Sequence, residues 1–175
     1  VEHGKTFDRN AANPPAFEIF HNTVTEGYPK HWHTAIEIIM PTRGEYEVVV
    51  GKDSYNLKEG DIIMINSGVV HGMRFVSQGE RIVMLVEPGC VENQEEMETI
   101  FLRLPAIYFK KEDEEDPFYL FLRSQILELV REYDNEGAVM THRICTGLKE
   151  LFSEFGRKGF SDANAQNTFG AMKQQ

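Results

Sequence analysis

The sequence predicts a mainly β fold with α: a small β-barrel or sandwich followed by an antiparallel two-helix hairpin. Two observations predict it. From Phe17 to about Val86, short runs rich in β-branched and aromatic residues alternate with turn signals at close spacing. That pattern favours a barrel or sandwich over a sheet with crossover helices. Beyond Asp116, two segments carry apolar residues at matching offsets: Phe118, Leu122, Ile126, Leu129, Val130 and Tyr133, then Met140, Ile144, Leu148, Leu151, Phe152 and Phe155. Each set is one helical stripe.

The elements follow in order. Residues 1–16 form a polar N-terminal arm, in which Asn13-Pro14-Pro15 prevents a helix. It reads as a disordered terminus, with an arm that folds over a ligand as the alternative. Residues 17–90 form the β unit, with candidate strands Phe17–Phe20, Ile36–Met40, Glu45–Val50, Ser54–Leu57, Asp61–Ile65, Met73–Ser77 and Arg81–Val86. Gly51-Lys52-Asp53 makes a hairpin, and Lys58-Glu59-Gly60-Asp61 a turn. Pro88-Gly89 closes this region.

Residues 91–158 form the helical part. Val91–Leu104 suits a short helix ended by Pro105. The charge run Glu112–Asp116 reads as a solvated loop. Asp116-Pro117 then pairs an N-cap with a proline in the first turn. Asp134-Asn135-Glu136-Gly137 is short enough to force the following helix antiparallel. Tyr119, Leu120, Phe121 and Leu127 lie outside the first stripe. They either form a second apolar face for a partner subunit or sink into the core at the helix start. Residues 159–175, rich in Asn, Gln, Ala and Ser, read as a linker.

Composition narrows the function classes. The net charge of −10 argues against direct nucleic-acid binding by this chain, since phosphate contact needs a basic face. No apolar run approaches the ~20 residues of a membrane helix, so no membrane partner is expected. Two cysteines, Cys90 and Cys145, make no disulfide framework, and free thiols in a reducing cytoplasm are the default. Neither lies in a motif that activates a nucleophile, so no catalytic residue is assigned.

The chemistry-bearing residues are His31, His33 and Glu37, which share one face if His31–Glu37 is a strand. The stretch Gly60–His71 brings a third imidazole, His71. Three neutral imidazoles and a carboxylate can hold a divalent metal (Zn, Mn, Fe or Ni) with positions left for substrate or water. The same groups can instead hydrogen-bond a small polar effector such as a sugar. Trp32 alternates away from that face.

These two stretches resemble the paired motifs of the cupin superfamily. His31, His33, Glu37 and Gly44 match the first, with Gly27 as its leading glycine. Gly60, Gly68 and His71 match the second, where Asn66 stands for the usual Pro and Phe75 for the usual Asn. The resemblance implies a cupin-like small β-barrel with His31, His33, Glu37 and His71 at its inner site.

From Phe17 to Phe155, the order of arm, barrel, helix hairpin and linker is similar to the N-terminal regulatory domain of bacterial AraC-type transcription regulators. So is the wording of His31–Ile39 and Leu57–Gly68. That resemblance implies a cytoplasmic homodimer that binds a small effector in the barrel. Its DNA contact would be made by a helix-turn-helix domain beyond Gln175, to which residues 159–175 would lead. It favours a non-enzyme with no cofactor, and places the metal reading second. The alternative is a stand-alone metal-dependent cupin enzyme, an isomerase or dioxygenase, in which the same four residues hold the metal.

Overall fold

The computed structural model describes residues 16–23, 27–91, 105–113, 115–135 and 140–158. Among the described residues, nine strands form two antiparallel sheets packed as a sandwich, or flattened barrel. They are β1 (Phe17–Asn22), β2 (Tyr28–His31), β3 (Ile36–Arg43), β4 (Tyr46–Val50), β5 (Asp53–Leu57), β6 (Ile62–Ile65), β7 (His71–Phe75), β8 (Glu80–Val86) and β9 (Ala106–Phe109). The five-stranded sheet runs β1-β8-β3-β6-β9 and the four-stranded sheet β2-β7-β4-β5. Two helices follow, α1 (Pro117–Asp134) and α2 (Met140–Lys158).

Period-two alternation divides the buried strand residues between two cores. Between the sheets lie Ile39, Tyr46, Val48, Leu57, Ile63, Ile65, Val83 and Leu85. On the opposite face of the five-stranded sheet, Ile36, Ile38, Met40, Ile62, Met64, Ile82 and Met84 meet Leu122, Ile126 and Leu129 of α1 and Ile144, Leu148, Leu151 and Phe152 of α2. The five-stranded sheet is thus buried on both faces, and β6 and the Ile82–Val86 part of β8 read as unbroken apolar runs.

Local signals hold the ends. Asp116 Oδ1 accepts from the Phe118 amide at 2.8 Å, the N-cap foreseen from Asp-Pro. Asp61, 5% exposed, accepts from the Lys58 amide (2.9 Å), the Tyr108 hydroxyl (2.7 Å) and the Lys111 amide (2.8 Å). One carboxylate therefore ties the turn before β6 to β9 and the segment after it.

Several expectations change. The motif stretch is not one strand: His31 ends β2, Glu37 lies on β3, and residues 32–35 link the two sheets. β9 was not foreseen. It pairs with β6, Ile62 opposite Phe109, so the β unit extends past 90 into the segment read as helical. Tyr119 is corrected: it is 1% exposed and its hydroxyl donates to the Gly60 carbonyl at 2.8 Å. It belongs to the core, not to a partner-facing surface. Leu120 (50% exposed) and Leu127 (38%) do face outward, with Phe121 half-buried. The helix expected over Val91–Leu104 lies outside the described residues except for Val91, which ends a short 3-10 turn, Pro88–Val91. The arm through Pro15 and the linker at 159–175 also lie outside them.

Candidate metal and effector site

The four predicted donors come together. His31 is opposite His71 in the β2–β7 pairing. Glu37 on β3 lies opposite Leu85 and Ile65 and projects between the sheets. His33 sits in the link that crosses from one sheet to the other, where its carbonyl accepts from the Gly68 amide at 2.8 Å. Gly68 makes that approach at φ +73°, a conformation a side chain would strain. Gly27, the leading glycine of the first motif, abuts β7: a Cβ there would lie 2.2 Å from the Met73 carbonyl oxygen.

One ligand atom from each of His31, His33, Glu37 and His71 lies within 4.8 Å of all the others. Ring centroids are 4.5 Å apart for His31–His71, 5.0 Å for His33–His71 and 5.5 Å for His31–His33. His33, Glu37 and His71 are buried while His31 is half-buried, so His31 is the side from which solvent reaches the cluster. Trp32 (62% exposed) and Val70 (46%), sequence neighbours of the ligands, point outward.

The hydrogen bonds fix the chemistry of the rings. Nδ1 of His31 donates to the Pro29 carbonyl (2.8 Å), that of His33 to Ala35 (2.9 Å) and that of His71 to Val69 (2.8 Å). A carbonyl oxygen only accepts, so each Nδ1 carries its proton and a neutral ring keeps its lone pair on Nε2. Yet Glu37 Oε2 lies 2.9 Å from His33 Nε2 and 3.0 Å from His71 Nε2. Two lone pairs facing a carboxylate would repel it. The arrangement is satisfied by a cation: a second proton on each ring, or a metal ion among the donors. Burial alone would raise the Glu37 carboxyl, but the hydrogen bonds from His33 and His71, with their charges, outweigh it and hold it at about 2. Backbone-pinned imidazoles with converging Nε2 atoms and an ionised carboxylate fit a divalent metal, whose ligand bonds are about 2.0–2.2 Å long.

Among the buried charged residues that the sequence reading did not single out, Arg81 lies deepest. Arg81 is 1% exposed, and its guanidinium carbon lies 5.1 Å from the Tyr28 ring and 5.0 Å from the Tyr46 ring. It projects between the sheets in phase with Val83 and Leu85, about four residues along from the level of Glu37. That phase was the available signal: a charge in register with inward apolar residues. His21 and His142 are exposed.

With that geometry in place, comparison with known proteins adds the following. The cupin domain family model matches residues 22–87. No curated protein matches the chain. Among solved structures, apo ToxT K231A from Vibrio cholerae superposes with a TM-score of 0.55 at 12% identity, over 83% of this chain and 58% of that one. A conserved protein of unknown function from Streptococcus pyogenes gives 0.37 at 18% identity, over 41% of this chain and 63% of that one. The S161A mutant of Bacillus subtilis oxalate decarboxylase gives 0.36 at 18% identity, over 41% and 20%. The chain thus spans less than two thirds of each of these proteins. Its fold is a cupin β-sandwich followed by a helix pair.

Proposed function

We propose that this chain is the effector-sensing and dimerisation domain of an AraC-type transcription regulator. Its small polar effector binds at the cluster of His31, His33, Glu37 and His71. The observation that carries the reading is the double use of one sheet. Glu37 reaches into the site from one face of β3, while Ile36 and Ile38 on the other face pack against the helix pair. An effector that favours one setting of β3 therefore acts on the helices by a population shift. The outward Leu120 and Leu127, seven residues apart on α1, supply the apolar face for a second copy. The fold likeness over 83% of the chain takes in more than the sandwich. In this reading DNA is contacted by a separate C-terminal unit, consistent with the net charge of −10 here.

A divalent metal fits as part of the effector site. Nε2 of His31, His33 and His71 and the Glu37 carboxylate would hold it, and when bound it supplies Lewis acidity toward an effector oxygen. The complete donor set favours a second reading, a metal-dependent cupin isomerase or dioxygenase. One experiment separates the two. The chain is purified without chelator and its metal content measured. Thermal unfolding is then followed with a panel of sugars and other small polyols, and each compound that shifts the midpoint is checked for chemical change. A midpoint rise of several degrees with the compound recovered intact supports sensing. Turnover supports the enzyme and overturns the regulator. No stabilisation in wild type, or one unchanged in His71→Ala, overturns the site.

A further inference from the structure

Cys90 and Cys145 lie 55 residues apart in sequence, yet their Sγ atoms are 3.5 Å apart. Cys90 sits in the Pro88–Val91 turn at the end of β8, and Cys145 is on α2, one turn before Lys149. Both are half-buried, packed at the margin of the core between sheet and helices. Two thiols in van der Waals contact, partly open to solvent, need only a small closure to bond.

We propose that Cys90 and Cys145 are a reversible oxidation site, which hydrogen peroxide converts to a disulfide that fastens α2 to the end of β8. The proposal does not depend on the effector reading. The steps balance. The Cys145 thiolate attacks peroxide, the O–O bond breaks, and the departing hydroxide takes a proton and leaves as water; Cys145 becomes a sulfenic acid. Cys90 then attacks that sulfur, the S–O bond breaks, and the hydroxide leaves as water with the Cys90 proton. Two thiols lose two hydrogens, and one peroxide becomes two waters. The order follows from the surroundings of Cys90. Burial, together with the hydrogen bond and charge of Cys145, pushes its thiol up to about 12 against the opposing charge of Lys149, which makes it the poorer first nucleophile. The bond would close a 55-residue loop and fix the helix pair against the sandwich, so the thiol state sets how freely α2 moves on the sheet.

The test oxidises the full chain with hydrogen peroxide under native conditions and maps peptides without reduction. The expected product is one Cys90–Cys145 cross-linked peptide, reversed by dithiothreitol, with the unfolding midpoint raised by roughly 5–15 °C. In Cys90→Ser the Cys145 sulfenic acid persists and is trapped by dimedone, and in neither Cys90→Ser nor Cys145→Ser does a cross-link form within the chain. Phenylarsine oxide, which bridges neighbouring thiols, reads the native pair without any variant: one arsenic per wild-type chain. Failure of that bridging, cross-links only between chains, or separate sulfinic acids on the two cysteines would each overturn the proposal.

Discussion

The two sheets of the sandwich solve different problems with different residues. The five-stranded sheet is covered on both sides, by the opposing sheet and by α1 and α2, and two of its central strands carry long apolar runs: Ile62-Ile63-Met64-Ile65 and Ile82-Val83-Met84-Leu85-Val86 are all buried. The four-stranded sheet has one covered face, and its strands β4 and β5 alternate. In β4, Tyr46, Val48 and Val50 are buried while Glu47 and Val49 are half-exposed; in β5, only Tyr55 and Leu57 are buried. A polar residue at an inward position of either sheet is therefore an exception that needs a reason. Glu37, Arg81 and His71 are such exceptions, and two of the three make the site.

The largest effect should come from breaking the helix cover. Phe152→Ala removes a fully buried ring from the outer core and should cost about 3–5 kcal/mol in urea unfolding. Val49→Ala, on the half-exposed face of β4, should cost under about 1 kcal/mol. Equal costs would mean that the helices contribute little to the second face. Next is Asp61→Ala, which leaves the Lys58 and Lys111 amides without their carboxylate acceptor and the Tyr108 hydroxyl with only the longer contact to the Asn56 carbonyl (3.2 Å). Its cost should be about 2–4 kcal/mol, with faster amide exchange along β9. A variant as stable as wild type would show that the carboxylate is not what anchors this strand.

Glu37→Gln sharpens the contrast between packing and function. Glu37 titrates at about 2 in the fold against 4.5 ordinarily, so its ionised form stabilises the fold above 4.5. That contribution fades as pH falls from 4.5 toward 2. Across that window the stability gap between wild type and Glu37→Gln should change by on the order of 2 kcal/mol, with wild type losing more. Parallel acid profiles would refute the coupling of Glu37 to His33 and His71.

The sequence disclosed what repeated patterns carry. Alternation in β4 and β5, the stripes of both helices and the four donors are all local or periodic signals. β2 was hidden because Tyr28-Pro29-Lys30 is an exposed edge segment with irregular register and no apolar run. β9 is four residues long, too short to show a period. Tyr119 was misplaced because the stripe was anchored on Phe118. The deeper line runs Tyr119, Leu122, Ile126 and Leu129, all buried, at offsets 0, 3, 7 and 10. Arg81 was passed over because a charge at the start of a strand usually faces water. The contact between Cys90 and Cys145 depends on how α2 docks, which no local pattern encodes.

The imidazole clamps carry one more consequence. Each ring is held through Nδ1 by a carbonyl only two residues from it: Pro29 for His31, Ala35 for His33 and Val69 for His71. Rotameric freedom at those three side chains is thereby surrendered when the polypeptide folds, before any guest arrives. Whatever enters finds its contacts already aimed, so less of the entropy of association is charged to the encounter itself. The site is built to capture its occupant by fit to a standing frame rather than by assembling around it.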